Sequence, residues 1–474
     1  RLQPIRLLAR ELGVNRETVA DAYRELEALG LTESHVGRGT FVTATRATLR
    51  DIARGGVDAA AAAPAERPFV PLFARAAEAV AALPALDFTS DPHAVRLDRV
   101  VPDAELYPVD EFRRALARVL SRQGRRVLDY GDPRGDEGLR RVLVERLTAY
   151  GIEAHHDDIV VTGGSTQALA IVARLFCDPG DAVAVESPTY PGAQATLLAA
   201  GLRPAPLPMT DAGLDLDALD ALLARGGARL VYTMPTFHNP TGIATALEHR
   251  RRLLDIATRH GVPVLEDDFE KDLRVRGRPA PPLKALDRTG GVVYVGTFSK
   301  ALFPGARVGW IVGPRRTVDV AVALKRTLDL TTSPVLQAAL AQLCTSGAYD
   351  RHLRRVAKEL ERRLQRAFAA LEERLPPGST FTRPEGGFAI WVTLPEPLDT
   401  LALFPAAKQA GVVYTPGQLF HPDGRRSSSL RVSVAQCASD EIARGIRILG
   451  EVARAALPAR APRRTGRAAA SVHV

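Results

Sequence analysis

The sequence predicts an α/β protein: a large body on a mostly parallel sheet, with a smaller α+β lobe toward its C-terminal end. Three observations carry this. Between residues 85 and 455, six short β-rich apolar runs alternate with stretches of helical spacing. Roughly residues 335–455 contain a long charged helical pattern near 350–374 and then mixed signals. The first 42 residues are of another kind, two helical stripes and two short strands, and so form a unit of their own. A chain of 474 residues has room for two or three domains.

Taken in order, Ile5, Leu8 and Leu12 make an apolar stripe that Gly13 closes at a C-cap position. Asn15 is a good N-cap for a second helix with the stripe Val19, Tyr23, Leu26, Leu29, ended by Gly30. Leu31–Ser34 and Gly39–Val42 follow as strands around a tip at Val36–Gly39. Residues 46–84 include the Ala-rich run 58–68 and read as a linker that packs no core. The body's strands are Ile159–Val161, Ala182–Val185, Leu230–Tyr232, Pro263–Leu265, Val292–Val295 and Val308–Val312. Residues 456–474, rich in Arg, Ala and Pro, read as a disordered basic tail.

Composition narrows the function classes. No apolar run is long enough to span a membrane. Three cysteines, widely separated and without metal-ligand spacing, argue for a cytoplasmic protein and against a zinc site or disulfide framework. The net charge of +9 owes four arginines to the tail alone, and residues 1–45 balance six Arg against six acids. Basicity therefore does not identify a nucleic-acid partner by itself.

The chain has only six lysines. Lys300 stands just past an apolar strand, in Thr297-Phe298-Ser299-Lys300 followed by Arg307, at the strand end that faces the crevice of a parallel sheet. An amine there suits an aldehyde cofactor bearing a phosphate, with Ser299 and Arg307 holding the phosphate; a surface lysine is the bland alternative. Other strand ends offer matching parts. Asp267 could keep a pyridine nitrogen protonated, or merely cap a loop. Asn239, in Asn-Pro-Thr-Gly, could donate to a ring oxygen or mark a turn. Gly163-Gly164-Ser165-Thr166 opens a helix with backbone donors and hydroxyls. Tyr190 could stack on a heterocycle or fill a core.

Together these segments resemble the fold-type I aminotransferases over nearly all of 85–455. The resemblance implies pyridoxal 5'-phosphate bound to Lys300 as an internal aldimine, with Asp267 on its ring nitrogen, Asn239 at its ring oxygen and Tyr190 stacked on the ring. Ser165, Thr166, Ser299 and Arg307 would surround the phosphate. Arg431, in Leu-Arg-Val-Ser, would grip an α-carboxylate as a bidentate fork. Tyr130 would reach the phosphate of a second subunit, which implies a homodimer. Phe269 departs from the family pattern, which has a tyrosine there donating to the ring oxygen. A phenyl group cannot donate, so the aldimine is expected to hold its proton to higher pH.

Residues 1–42 resemble the winged helix-turn-helix of the GntR family, on Leu8–Val19 and Gly37–Val42. That family's first helix has no counterpart before Arg1, so the sequence is expected to begin inside the domain. Val14 and Val19 would bury against the preceding helix. Arg16, Glu17 and Thr18 would face double-stranded DNA from the recognition helix, and Arg38 from the wing tip. The joined architecture, supported by Pro102–Pro108 at the entry to the body, looks like the MocR/GabR group of regulators. It implies a cytoplasmic, DNA-binding homodimer that senses an amino acid or amine by aldimine exchange at Lys300. An aminotransferase with an accessory N-terminal module is the alternative.

Overall fold

The computed structural model describes residues 2–28, 31–35, 39–43, 72–89 and 92–457, in two compact units that divide between Phe73 and Ala74.

In the first unit, α1 (Ile5–Leu12) ends on Gly13, whose φ of 66° is left-handed and natural to glycine. Helix α2 (Arg16–Ala28) starts where the Glu17 amide donates to Asn15 Oδ1 at 3.2 Å. Strands β1 (Thr32–His35) and β2 (Gly39–Val42) pair antiparallel. The small core is Ala9, Val19 and Tyr23, with Leu2, Ile5, Leu8 and Leu26 against it. Two expectations need correction: Leu12 is 61% and Val14 42% exposed. Two short helices and a ribbon offer too little surface to cover the last turn of α1 and the residue after it. Residues 36–38 of the expected tip, Arg38 among them, lie outside the described residues, as do Leu29 and Gly30.

The larger unit opens with a helix at Arg75–Ala81, inside the stretch read as linker. It packs against the helix Pro191–Ala199. Residues 46–71 of the expected linker, and the tail from 458, lie outside the described residues. After β3 (Val95–Arg96), the main sheet collects β4 (Ile159–Thr162), β5 (Ala182–Ser187), β6 (Arg203–Thr210), β7 (Gly213–Leu214), β8 (Leu230–Thr233), β9 (Val264–Asp267), β10 (Val292–Thr297) and β11 (Gly309–Val312), in the spatial order β4-β11-β10-β9-β8-β5-β6-β7. The run from β10 to β6 is parallel, while β11 and β7 run antiparallel to their neighbours.

Alternate strand residues serve opposite faces. Val183, Val185, Val293 and Val295 pack under the helices Ser165–Phe176 and Arg315–Asp329. Ala184, Val231, Val264 and Val292 pack against Leu216–Ala224 and Leu247–Arg259. The small lobe is an antiparallel sheet of β12 (Thr380–Phe381), β13 (Ala389–Thr393), β15 (Thr415–Pro416) and β16 (Ser429–Ser433). Helices Ala348–Arg374, Thr400–Gln409 and Ser439–Ala456 accompany it. Strand β14 (Val412–Val413) pairs with β3, so the start of the body is built into the lobe formed by its end.

Candidate functional site

The C-terminal ends of β9 and β10 deliver Asp267 and, one short turn later, Lys300. Parallel strands gather such ends into one crevice, so residues far apart in sequence converge here. The Lys300 amine donates to the Val100 carbonyl at 2.8 Å. Burial lowers its pKa, against the opposing pull of Glu270. Asp267 is 2% exposed; Tyr232 donates its hydroxyl to Oδ2 at 3.0 Å, while Oδ1 is buried without a hydrogen-bond partner. Burial pushes this carboxyl up to about 7, and the Tyr232 bond pulls the other way. A lone buried acceptor oxygen of this kind suits one N–H from a bound heterocycle.

Arg431, on β16, comes from the small lobe. It donates through Nη1 to Asn239 Oδ1 at 2.8 Å, and through Nη2 to the Asp98 carbonyl at 2.7 Å and Thr415 Oγ1 at 3.2 Å. Its Nε is buried without a partner, and the Phe420 ring lies 5.0 Å from its guanidinium carbon. The same arginine lines a cavity of about 620 Å³. Asn239 is held in a loop steadied by His238, which contacts Thr241 Oγ1 at 2.8 Å and Glu186 at 3.2 Å. Tyr190 precedes the helix Pro191–Ala199 and is half-buried beside Asp267. A Cβ on Gly192 would collide with its ring.

On the opposite side, the helix Ser165–Phe176 begins after Gly164 with no side-chain cap, so its first backbone amides are available to an anion. Arg307 donates to the Gly163 carbonyl at 3.0 Å. A Cβ on Gly164 would lie 2.8 Å from Arg307 Nη2, so glycine keeps that approach open. Arg307 itself has φ of 44°, a left-handed conformation that costs a non-glycine residue about 1 kcal/mol or more and is typical of functional turns. Ser299 Oγ accepts from Thr297 Oγ1 at 3.0 Å; Ser165 is half-buried and Thr166 exposed. An uncapped helix end, three hydroxyls and an arginine form a donor set matched to a phosphate, and Asp267 and Lys300 are matched to an aldehyde-bearing pyridine. The residues fit pyridoxal 5'-phosphate.

Tyr130 is not brought into this group. It is 77% exposed, on the rim of a separate cavity of about 950 Å³ shared with Arg126 and Pro334. In the first unit Arg16, Glu17 and Thr18 are all exposed on the first turn of α2.

Several participants escaped the sequence reading. The carbonyls of Asp98 and Val100 are backbone groups that any residue type supplies. Glu270, 2% exposed, accepts the Phe388 amide at 3.1 Å, and burial pushes it up to about 7 with Lys300 pulling it down. Its signal was a run of four acids in five positions, 266–270, too many for an ordinary loop cap. Glu266 in that run serves structure, accepting the Leu283 and Lys284 amides at 2.7 and 2.8 Å.

Comparison with known proteins agrees with this geometry. Residues 101–449 match the family described as aminotransferase class I and II, and residues 2–42 match the gntR family of bacterial regulatory proteins. The chain is 34% identical to the probable rhizopine catabolism regulatory protein MocR of Rhizobium meliloti, over 91% of this chain and 85% of that protein. It is also 34% identical to aromatic-amino-acid aminotransferase 1 of Thermococcus litoralis, over 77% of this chain and 88% of that enzyme. The multiple substrate aminotransferase of Thermococcus profundus superposes with a TM-score of 0.77 at 30% identity, covering 82% of this chain and 98% of that one. Class I and II aminotransferases depend on pyridoxal phosphate. The chain belongs to this family through its body and to the gntR family of DNA-binding regulators through its first 42 residues, the fusion that characterises MocR-type regulators.

Proposed function

We propose that this protein is a pyridoxal-phosphate-dependent transcriptional regulator that works as a homodimer and senses an amino acid or amine. The observation that carries the reading is a complete amine-handling site, Lys300, Asp267 and Arg431, in a chain that also bears a gntR-type recognition helix. When bound, the cofactor supplies an aldehyde carbon that condenses reversibly with primary amines, from Lys300 or from an effector. Burial biases the Lys300 amine toward its neutral, nucleophilic form. With the group bound, Asp267 Oδ1 would accept a ring N–H, Asn239 would serve the ring oxygen, and Tyr190 would lie against the ring. Ser165, Thr166, Ser299 and Arg307 would hold the phosphate. Arg431 takes the effector carboxylate, its free Nε adding to the fork.

Tyr130, too exposed to serve its own site, is assigned to the partner's phosphate, and the neighbouring Leu128, 69% exposed, to the subunit interface. Paired recognition helices then present Arg16, Glu17 and Thr18 to two half-sites, with Arg38 at the wing. Such a regulator works in the cytoplasm, where its DNA is. No described helix is long and apolar enough to cross a membrane.

The second reading is an active transaminase, favoured by the intactness of the same three residues, since turnover needs them all. Two measurements on the full chain decide. The cofactor's visible absorbance should be present in the wild type, change on adding the right amino acid, and vanish in Lys300→Ala. Retention of an operator fragment over random DNA should be salt-sensitive. Failure to discriminate any operator, together with multiple-turnover conversion of an amino acid and a keto acid, would replace the regulator by the enzyme.

A further inference from the structure

The segment that opens the larger unit has contacts that the reading above leaves unused. The helix Arg75–Ala81 lies on the helix Pro191–Ala199, whose N-cap is Tyr190, and so is tied to the side of the main sheet that carries Asp267. The chain then runs as a non-helical strap from Ala82 to Phe88. The strap's far end is fastened to the small lobe. Lys408 donates to the Asp87 carboxylate at 2.8 Å and to its carbonyl at 3.0 Å, and the Phe88 ring meets Phe404 edge-on at 5.7 Å. Between these ties, half-buried Leu83, Leu86 and Phe88 line the 620 Å³ cavity that Arg431 also lines.

Resting on the effector-sensing reading, we propose that the strap Ala82–Phe88 reads the effector: Leu83, Leu86 and Phe88 select an α-amino acid with a bulky apolar side chain and order around it. Of Lys300, Asp267, Asn239 and Arg431, only Arg431 lines the cavity, so an α-amino acid with its carboxylate on Arg431 has that space beside it for its side chain. The wall there is apolar on the strap side. His421 adds no charge at neutral pH, because burial pushes it down to about 4. Asp98 is paired with Arg96, and Arg99 and Asp423, of opposite sign, stand exposed, so apart from Arg431 the lining carries no net charge. Its volume exceeds what a small side chain fills, so a bulky one gains the contacts. Because helix and strap together touch both lobes and open the larger unit, next in the chain to the DNA-binding unit, their ordering is a signal that can leave the body.

The test uses full-length protein with bound cofactor. Absorbance titrations with L-phenylalanine, L-leucine, L-aspartate and glycine rank affinities, and hydrogen exchange follows residues 75–88. Wild type should prefer phenylalanine or leucine over glycine by about tenfold or more, as expected for burying one large apolar group. Phe88→Ala or Leu86→Asp should shrink that preference to about threefold or less. Lys408→Ala, which removes both bonds to Asp87, should abolish the slowing of exchange across 75–88 that phenylalanine induces in the wild type. A preference for aspartate or glycine, or one that survives both strap substitutions, overturns the proposal and leaves the sensing reading standing. If none of the four amino acids alters the absorbance, the proposal falls; if simple primary amines fail as well, the sensing reading falls with it.

Discussion

On the function proposed above, Asp267 is a single side chain that costs the fold stability and is required by the ligand. Its folded pKa of about 7 lies above the ordinary value of 3.8, because burial disfavours the charge. A carboxyl shifted in this direction is harmless below the ordinary value, and its contribution is lost as pH rises toward 7. In cofactor-stripped protein, Asp267→Asn should therefore be as stable as wild type near pH 4. By pH 8 it should be more stable by about 2–4 kcal/mol, from ~1.4 kcal/mol per pKa unit, as read from denaturant melts at the two pH values. With cofactor the order reverses, because Asn cannot neutralise a ring N–H⁺. Phe269 makes the complementary case: it is 9% exposed and packed among Leu265, Val295 and their neighbours. Phe269→Tyr supplies a donor for the cofactor's ring oxygen and should lower, by about one unit, the pH at which the Lys300-linked cofactor loses its proton. A spectroscopic titration that is unmoved or shifted upward would contradict this. The chemistry of Lys300, Asp267, Asn239 and Arg431 was legible because each residue type follows a strand or sits in a short motif. The partners of Arg431 were not, since Asp98 contributes only a carbonyl and Thr415 lies on another strand.

Elements were readable where their hydrophobic pattern was clean. All six expected body strands are present, within a residue or two of the expected limits. Strand β6 was not anticipated, because Pro204, Pro206 and Pro208 argue against a strand. All three share one parity, however, and the Arg203 amide donates to Asp181 on the β5 side while the Pro208 carbonyl faces outward to Asp215. Every proline thus points its missing N–H away from the β5 ladder, where little is lost. The helix 75–81 was missed for the opposite reason, Ala-rich composition without a stripe, and its place comes from packing on Pro191–Ala199. Close approach is likewise invisible in a pattern. On the helix Ser439–Ala456, a Cβ at Gly450 would run into the Arg374 carbonyl, and one at Gly445 would lie 2.8 Å from Val95 Cγ1. Gly450→Ala should lower unfolding free energy by about 1–3 kcal/mol despite its better helix propensity. An unchanged or raised melting point would show that the two helices can separate cheaply.

At the scale of the molecule, the sheet and lobe act as a device for convergence. Strap, β3, strand ends and β16 bring Phe88, Val100, Asp267, Lys300 and Arg431, spread over more than 340 positions, to one crevice or its rim. The sequence by itself determined the division into a DNA-binding unit and an α/β body, the order of the parallel strands along the chain, and which residues carry reactive groups. Those properties are local: periodicity, turn residues and short motifs are written in neighbouring positions. Only the tertiary structure decided that the start of the body belongs to the lobe made by its end, that Glu270 is buried near Lys300, and that the strap lines a cavity together with Arg431. These depend on long-range packing, where burial and the supply of backbone carbonyls are set by what the chain meets rather than by what the residue is.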